Sequence, residues 1–536
     1  MSVVHDYVNA IVRRRREPME PLGFQPNWGD KPRRHKVYDG AVRFPLPAGE
    51  RTDSALLSTG FGADLGHGAF TMDTLAGLLR DSYGLLGRRL GVQANNDEAA
   101  LPQYRSAVWW RGTASGGGLY PAEIYWVTGG AGPLLPGVYY YSTPHHAMQR
   151  LFVGDAVSQV RAAIGDDPAA AATDQYLLVS VKFWKNSFKY NSFCYHVVTM
   201  DVGTLLGTWQ LWSRAHGLAL RPALTFDEPA LNRLLGLHTE SESTFAVVPL
   251  LWSGADTSAA GSPTPSRPPD LAPRVSIGET ERSRTVLRFP TIEEVHAAIV
   301  DAGAARPAPA VLAAGAAGVP AHDKTEVQAL PAPARLDVPV AAALRARRSS
   351  FGRFSGHPPL TTPALSAILA AGAAGGRLVS DIKRPDGTPS LTRLVAFVNH
   401  VQGIARGVYD YDPARNSLGV VSLDDVGLFL QRNYFLPNYN LEQAAAALVV
   451  LARPEAVIDA VGPRGYRFVN AEVGAVAQSV YTACAALGVG CGAALGFDNV
   501  SYSERLNIVG TGEWPLLLLM IGNERAGEPN FDYWIN

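Results

Sequence analysis

Apolar residues recur along this chain at two different spacings, which predict both helices and strands. Leucines three and four residues apart predict a helix over Thr74–Leu85. A long, mostly apolar stretch with small residues on one face predicts a helix over Val198–Leu218 that packs tightly against a partner. Short apolar runs predict buried strands over Glu123–Val127 and Phe245–Trp252. The first half of the chain is therefore expected to be α+β.

The same elements return in the second half of the chain. A Gly-Val-Tyr segment begins at Gly137 and again at Gly407, about 270 residues further on. A repeat of that length is too long for a solenoid unit and indicates two tandem copies of one domain. The second copy is predicted to contain helices over Leu360–Ala374 and Asn470–Val489 and a buried strand over Leu516–Gly522.

The duplication divides the chain into four parts. The Pro-rich stretch Ser262–Arg274 predicts an extended linker, and a Thr-x-x-Glu capping box predicts a helix over Thr291–Ala304. Two copies of one fold can pack as a built-in dimer, in which each copy needs only half of an interface site. The predicted parts are an N-terminal extension (1–59, irregular up to about Leu46), a first domain (60–256), a Pro/Ala-rich linker with a short helix (257–336) and a second domain (337–536).

Composition and charge narrow the functional classes. The formal net charge of the 536 residues is -1, which argues against a nucleic-acid or membrane partner. The basic run Arg13–Arg16 is interpreted as a solvated helix end. Cys194, Cys484 and Cys491 have no metal-binding spacing, so no metal is expected. Cys484 and Cys491 lie in or just after an apolar helix pattern, which predicts buried thiols. The first residues lack the order of a signal peptide, so we expect a cytoplasmic protein.

A cluster of arginines opens the second copy. Arg347, Arg348 and Ser349, which we call the arginine motif, stand together there. Guanidinium groups beside a hydroxyl suit a phosphate, which accepts charged, bidentate hydrogen bonds. On its own such a cluster is more often a solvated helix end, so its assignment depends on the rest of the chain.

A glycine-rich segment lies in the first copy. Ser115 is followed by Gly116, Gly117 and Gly118, which we call together the glycine loop. The absence of side chains lets the backbone approach a flat ligand closely. A Leu-Tyr-Pro sequence leads from the loop directly into a strand, which indicates a fixed turn. The loop has neither the Walker-type pattern nor the Gly-x-Gly-x-x-Gly pattern, so nucleoside triphosphate and Rossmann sites lose support.

These segments resemble the FMN-dependent nitroreductase superfamily and, within it, the SagB-type dehydrogenases, which oxidise azoline rings to thiazoles and oxazoles in ribosomally made peptides. The resemblance lies in Asn27–Pro47, Ser115–Val127, Gly137–Tyr141 and Arg347–Phe354. It implies an α+β fold of two nitroreductase-like domains with FMN at their interface. One domain would supply the arginine motif and a glycine-bearing turn, and the other the glycine loop. In a tandem chain this dimer becomes an intramolecular pseudodimer.

The two copies retain different halves of the implied site. The second copy keeps the arginine motif, the turn Leu495-Gly496, and Arg525 after its last strand, where the family often has a basic phosphate ligand. The first copy has Thr225 in place of the turn glycine, and the second has no glycine loop within Gly387–Phe397. The resemblance therefore implies one FMN site per chain, and an empty reciprocal site that has lost both halves.

A candidate catalytic pair follows the same pattern. Lys189 and Tyr190 precede the long helix of the first copy, where SagB-type enzymes carry a Lys-Tyr pair implicated in catalysis, whereas the second copy has Ala460 and Val461. A lysine near a flavin can serve as a base, and a tyrosine can donate or relay a proton. Alone, the pair would be interpreted as a solvated lysine and a packed tyrosine. Its occurrence in the copy with the glycine loop favours a function.

The resemblance implies an FMN-dependent dehydrogenase that oxidises azoline rings in a modified precursor peptide, with a cyclodehydratase complex as a further partner. Two alternatives remain open. One is a flavin enzyme that reduces nitro compounds or quinones with NAD(P)H, and the Lys-Tyr pair and the N-terminal extension argue against it. The other is a flavin-free scaffold that binds the precursor peptide, and the intact arginine motif argues against that.

Overall fold

The computed structural model describes residues 2–48, 54–90, 107–254, 273–317, 326–382, 389–525 and 531–535. Most of the predicted linker Ser262–Arg274, and the start of Gly387–Phe397, lie outside the described residues. The helices are α1 (Val3–Arg13), α2 (Leu57–Gly60), α3 (Met72–Tyr83), α4 (Val157–Ile164), α5 (Pro168–Ala171), α6 (Trp184–Tyr190), α7 (Cys194–Ala215), α8 (Glu228–Leu235), α9 (Pro290–Asp301), α10 (Val340–Ala346), α11 (Thr362–Gly375), α12 (Gly427–Arg432), α13 (Pro454–Val461), α14 (Gly465–Ala486) and α15 (Asn499–Leu506).

The strands form two large sheets and a small one. They are β1 (Arg43–Pro45), β2 (Gly87–Leu90), β3 (Ala107–Trp110), β4 (Ala122–Thr128), β5 (Gly137–Ser142), β6 (Ala147–Val153), β7 (Gln175–Lys182), β8 (Glu242–Pro249), β9 (Val327–Ala329), β10 (Phe354–Ser355), β11 (Thr392–Val398), β12 (Gly407–Asp412), β13 (Ser417–Ser422), β14 (Ala446–Ala452), β15 (Gly490–Ala494), β16 (Trp514–Glu524) and β17 (Phe531–Trp534).

The two large sheets have the same topology, which confirms the duplication. The first sheet has the order β1-β6-β5-β4-β7-β8, and the second contains the corresponding order β9-β13-β12-β11-β14-β16. In the second sheet β10 and β15 also pair with β16. The predicted helices and strands of both copies are present, and the α+β fold class is confirmed. The short edge strands β1 and β9 come from the chain before each domain's first long helix.

A third sheet ties the end of the chain to the first domain. Strand β17 pairs with β2, and β2 pairs with β3, all antiparallel. The ring of Trp534 packs edge-on against Trp110 with 5.3 Å between ring centres. Trp110 also donates a hydrogen bond to the carbonyl of Arg345 at the end of α10 (3.0 Å). Strand β17 and helix α10, which both belong to the second copy, therefore each contact β3 of the first domain.

The two domains share one core, centred on the long helices α7 and α14. Their backbones cross in close contact, because a Cβ atom at Gly474 would lie 2.7 Å from Thr204 N, and one at Gly207 would lie 2.8 Å from the Cα atom of Ala475. A Cβ at Gly203 would overlap the carbonyl oxygen of Ala471. The expectation that small residues on this helix pack against a partner is confirmed, and the partner is the equivalent helix of the other copy.

The N-terminal extension contains a helix, so the prediction of an irregular segment up to Leu46 is wrong at its start. One face of α1 buries Val4, Tyr7, Val8, Ile11 and Val12. Their spacing of three and four residues is that of a helical stripe, which the sequence-based interpretation overlooked. The helix packs against α9, α13 and α15 and so contacts both the linker and the second domain.

The linker helix is confirmed as α9, but its predicted capping box is wrong. The N-cap residue is Phe289, with no side-chain hydrogen bond. Pro290 occupies the first helical position, where its missing N–H is not needed. Thr291 therefore lies inside the first turn. Cys484 and Cys491 are buried free thiols, as expected, and Cys194 is buried and free as well.

Placing a methyl group at the helix crossing should destabilise the chain. We expect Gly474→Ala to lower the free energy of unfolding by about 1–3 kcal/mol, because the added Cβ meets backbone atoms that cannot rotate away. The measurement is chemical denaturation followed by tryptophan fluorescence. Gly130→Ala is the control, since a Cβ there meets none of the described atoms within 4 Å, and it should change stability by less than about 0.5 kcal/mol. Equal effects of the two changes would contradict the crossing.

Candidate functional site

The glycine loop lies between β3 and β4 and is held by a carboxylate of α7. Asp201 accepts hydrogen bonds from Ser115 Oγ (2.6 Å) and Gly116 N (2.8 Å), and Ser115 Oγ accepts one from Tyr120 N (2.9 Å). These bonds make the loop a fixed turn. Burial raises the pKa of Asp201 to about 7, against the opposite effect of the two hydrogen bonds. Sequence analysis did not identify Asp201, which stands within an apolar helix.

Lys189 and Tyr190, at the end of α6, lie directly against the glycine loop. Gly117 has a φ of +64°, and a Cβ atom there would stand 2.6 Å from Tyr190 Oη and 2.8 Å from Lys189 Nζ. Both the left-handed backbone and the close approach therefore require glycine. Gly118 has a similar φ of +65°, but a Cβ there would meet none of the described atoms within 4 Å. The predicted catalytic pair and the predicted flavin loop are thus brought together.

The first residue of the arginine motif holds the base of the glycine loop. Arg347 is buried, and its guanidinium donates from Nε to the carbonyl of Gly112 (2.8 Å) and from Nη2 to that of Arg111 (3.0 Å). Gln478 of α14 accepts from Ala114 N (2.8 Å) and donates to the Gly112 carbonyl (3.1 Å). The second domain therefore fixes the loop of the first through two side chains.

Arginines gather around one carboxylate where β16 ends. Glu524 lies 3.3 Å from Arg348 and 4.0 Å from Arg353, and it accepts a hydrogen bond from Ser350 Oγ (2.5 Å). The backbone N–H of Arg525 donates to the carbonyl of Arg353 (2.8 Å), which places Arg525 beside this cluster. The side chain of Arg348 is 38% exposed. The cluster has an excess of positive charge and is open to solvent at Arg348.

A chain of contacts leads from the arginine motif to the predicted turn. Ser349 Oγ lies 3.0 Å from Tyr481 Oη, and that oxygen accepts a hydrogen bond from Ala493 N (2.8 Å). Ala493 is in β15, which ends one residue before Leu495. The motif and the Leu495-Gly496 turn are therefore parts of one connected structure in the second domain.

The turn is connected to the first domain through Tyr434, whose Cε2 would lie 3.5 Å from a Cβ at Gly496. The carbonyl of Gly496 accepts a hydrogen bond from Phe435 N (3.0 Å), and a Cβ at Gly496 would lie 3.0 Å from Leu436 Cδ1. Tyr434 is the neighbour that connects the turn to the first domain. Burial raises the pKa of Tyr434, and the nearby Tyr190 raises it further.

Arg14 of α1 anchors the same turn. Its guanidinium donates to the carbonyl of Leu495 and to Asn499 Oδ1 (2.7 Å), and it lies 4.7 Å from the ring centre of Phe193. Burial lowers the pKa of Arg14 to about 10. The interpretation of Arg13–Arg16 as a solvated helix end is therefore wrong for Arg14. The sequence did indicate that Arg14 is not fully solvated, because position 14 continues the buried helical stripe of Tyr7 and Ile11.

The equivalent turn of the first copy is closed by the chain itself. Asp381 accepts hydrogen bonds from Leu224 N (2.8 Å), from Thr225 N (3.1 Å) and from the Thr225 hydroxyl. Arg306 of the linker pairs with Asp381 (3.2 Å). A cavity between α7, α11 and α14 on this side has a volume of about 10 Å³, close to the space of one water. In the first copy, Asp381 and Arg306 thus occupy the space beside the turn Leu224-Thr225, which is the equivalent of Leu495-Gly496 in the second copy.

Comparison with known proteins identifies the family. The nitroreductase family profile matches residues 344–523. A Methanocaldococcus jannaschii protein assigned to the nitroreductases is 33% identical over 168 residues, which are 31% of this chain and 82% of that protein. The chain belongs to the nitroreductase family.

Solved structures extend the likeness in fold to the whole chain. The crystal structure of a nitroreductase-like protein from Anabaena variabilis has a TM-score of 0.73 and 22% identity, covering 98% of this chain and all of that one. A chain of the E. coli microcin synthetase McbBCD complex has 18% identity and a TM-score of 0.26, covering 46% of this chain and 81% of that chain. The first likeness shows the fold of two nitroreductase-like domains, and the second is too low to argue from.

Two further features were sought in the structure. Within the described ranges, none of the helices has the length and apolar character needed to cross a membrane. The same residues contain no group of three or more His, Cys, Asp or Glu side chains arranged to hold a metal ion.

Asp201→Asn should remove a pH-dependent loss of stability. With a pKa of about 7 in the folded chain against 3.8 ordinarily, the folded state keeps a proton that the unfolded state releases between about pH 4 and 7. The free energy of unfolding should therefore fall as the pH rises through this window, by roughly 4 kcal/mol for three pKa units. The Asn variant should lack this component in urea denaturation between pH 4 and pH 8. Asp64→Asn, at an exposed position, is the control and should keep the decline. A decline of the same size in the Asp201→Asn variant would contradict the assignment.

Proposed function

We propose that this chain is an FMN-dependent dehydrogenase of the SagB type, which oxidises azoline rings to thiazoles or oxazoles in a ribosomally synthesised peptide. The observation that supports this most directly is the contact of Lys189 and Tyr190 with Gly117. It joins the pair and the loop that the resemblance assigns to such enzymes. The proposed substrate is a modified precursor peptide in the cytoplasm, with a cyclodehydratase complex as a further partner.

FMN fits the residues gathered at the interface. Arg348 and Arg525 supply cations, and Ser349 a hydroxyl, for the phosphate, since charged groups in this arrangement suit a dianion. The glycine loop and the Leu495-Gly496 turn present backbone without bulky side chains to the flat ring system. Arg347 has two donors engaged by backbone carbonyls, so we assign it to positioning the loop beside the phosphate. Bound there, FMN would supply the two-electron acceptor for the ring oxidation.

The remaining task is to remove a proton from the substrate ring. Oxidation of an azoline to an azole takes away a hydride equivalent and a proton. Lys189 Nζ and Tyr190 Oη converge beside Gly117, and both side chains are half-buried rather than sealed. The pair would accept the proton and relay it to solvent, as positioned acid–base groups do. Asp201 keeps the loop in place beside them.

We expect the chain to bind one FMN. The support is the asymmetry of the two halves, in which Asp381 and Arg306 fill the reciprocal position. Flavin released by heat and measured against protein should approach one per chain. Arg348→Ala should weaken FMN binding about 10- to 100-fold, since a charged hydrogen bond contributes roughly 1.5–3 kcal/mol. Arg306→Ala, in the reciprocal half, should leave the flavin content unchanged. Two flavins per chain would contradict the proposal.

Lys189→Ala and Tyr190→Phe should retain FMN but lose azoline oxidation by about 100-fold or more. Gly117→Ala should also lose oxidation, because its Cβ would displace the pair. Since the glycine loop would also border the flavin ring, turnover of the loop variants is expressed per bound flavin. Gly118→Ala is the matched control, since it carries the same left-handed backbone strain without that contact. Turnover is measured as the loss of two mass units from the peptide.

The outcomes separate the proposal from its alternatives. Normal turnover in the Lys189 and Tyr190 variants would show that the pair is structural. Rapid bleaching of the bound flavin by NAD(P)H, together with no azoline oxidation, would favour a nitro or quinone reductase. A colourless protein that rejects added FMN would favour the scaffold.

A further inference from the structure

Two segments distant in sequence lie side by side on the first domain, and we call residues 28–38 with 279–285 the paired strap. Asp30 accepts hydrogen bonds from the backbone N–H groups of Arg284 (2.8 Å) and Thr285 (2.9 Å). Thr280 N donates to the carbonyl of Val37 (3.1 Å). The N-terminal extension and the linker are therefore joined in a single surface feature.

Ion pairs, one of them fully buried, anchor the paired strap to the sheet of the first domain. Lys36 pairs with Glu242 (2.6 Å), with both side chains buried. Lys182 of β7 pairs with Glu279 and Glu281, each at 2.6 Å. Because removing one partner of a buried pair is strongly unfavourable, the pair of Lys36 and Glu242 fixes the strap in place, and the half-buried pairs of Lys182 support it.

The exposed side of the paired strap is strongly basic. Arg34, Arg282 and Arg284 are exposed, and their side chains form no ion pair with any described residue. Burial lowers the pKa of the neighbouring Lys31, and the charges of Arg34 and Arg282 lower it further. Asp30 offsets part of this charge, because besides its two backbone hydrogen bonds the nearby charges of Arg284 and Arg282 also help lower its pKa. The strap nevertheless has more cations than carboxylates, with Lys31, Arg33, Arg34, Lys36, Arg282 and Arg284 against Asp30, Glu279 and Glu281.

The paired strap borders the candidate catalytic pair. Trp28 is 53% exposed, and its ring packs edge-on against Phe188 with 5.3 Å between ring centres. Phe188 immediately precedes Lys189 in α6. On the same helix, Trp184 Nε1 donates to Ser283 Oγ of the strap (2.9 Å). A peptide that reaches Lys189 and Tyr190 from this side must therefore pass the strap.

We propose that the paired strap binds an acidic segment of the peptide substrate, next to the residue that is oxidised. Arg34, Arg282 and Arg284 would contact its carboxylates, and Trp28 would pack against its side chains. The proposal rests on the proposed function, because it names the peptide chemistry that the site would accept. A peptide fits better than a nucleic acid, because the chain as a whole has a net charge of -1 and the basic surface is small and continuous with the site.

The test uses two synthetic peptides that share one thiazoline and differ in the flanking residues, which are Asp and Glu in one and Asn and Gln in the other. The holoenzyme should bind the acidic peptide about tenfold more tightly at low salt, as measured by fluorescence anisotropy, and the preference should shrink at high salt. The variant Arg34→Glu/Arg282→Glu/Arg284→Glu should lose this preference. It should oxidise the neutral peptide at an unchanged rate.

A charge-matched variant provides the control. Arg335→Glu/Arg406→Glu/Arg415→Glu changes three exposed arginines outside the strap and so alters the net charge equally. This control variant should retain most of the preference for the acidic peptide. Equal losses in the two variants would overturn the proposal, since they would show a general charge effect.

The remaining outcomes distinguish this proposal from the proposed function. If neither peptide is oxidised but the strap variant alone loses the acidic preference, the surface stands and the azoline chemistry fails. If both peptides are oxidised and bound equally, the chemistry stands and the surface fails. Tighter binding of a single-stranded DNA of the same charge, abolished in the strap variant, would overturn the peptide assignment in favour of nucleic acid.

Discussion

The close contact between α7 and α14 is the constraint on which the rest of this molecule depends. Gly203, Gly207 and Gly474 let the two helix backbones approach until a methyl group would not fit. Each of the two helices also carries a residue that holds the glycine loop, Asp201 on α7 and Gln478 on α14. A change in the helix spacing would therefore move the two supports of the loop relative to each other. The packing of the two helices therefore determines the position of the glycine loop.

The two equivalent turns at the interface have different surroundings. On one side Arg14 and Tyr434 contact the turn Leu495-Gly496, and Ser349 of the arginine motif is linked to the strand before this turn through Tyr481. On the other side Asp381 takes the N–H groups of Leu224 and Thr225. A buried N–H must find some acceptor, so a half-site without a ligand is stable once the chain itself supplies the oxygen. The two sides of the interface thus differ although the two domains have the same topology.

Segments outside the two domains contribute to the side that carries the turn Leu495-Gly496. Helix α1 brings Arg14 to the turn, the paired strap brings Trp28 to α6, and β17 returns from the end of the second copy to pair with β2 in the small third sheet. The domains alone have the same topology, so these additions account for much of the difference between the two sides. In the proposed function they would also control which peptide reaches the pair.

The sequence by itself determined the duplication, the α+β class and the uneven distribution of motifs, because periodicity and glycine content are local properties of the chain. It also marked Lys189, Tyr190 and Gly117, although not their contact. Only the tertiary structure decided that Arg347 binds backbone carbonyls of the first domain, that Arg14 binds the carbonyl of Leu495, and that Asp201 holds the loop. Each of these depends on residues far apart in sequence, 235 positions for Arg347 and Gly112 and 481 for Arg14 and Leu495. A local pattern records whether a side chain is buried or exposed, whereas its partner is chosen by how the two domains pack.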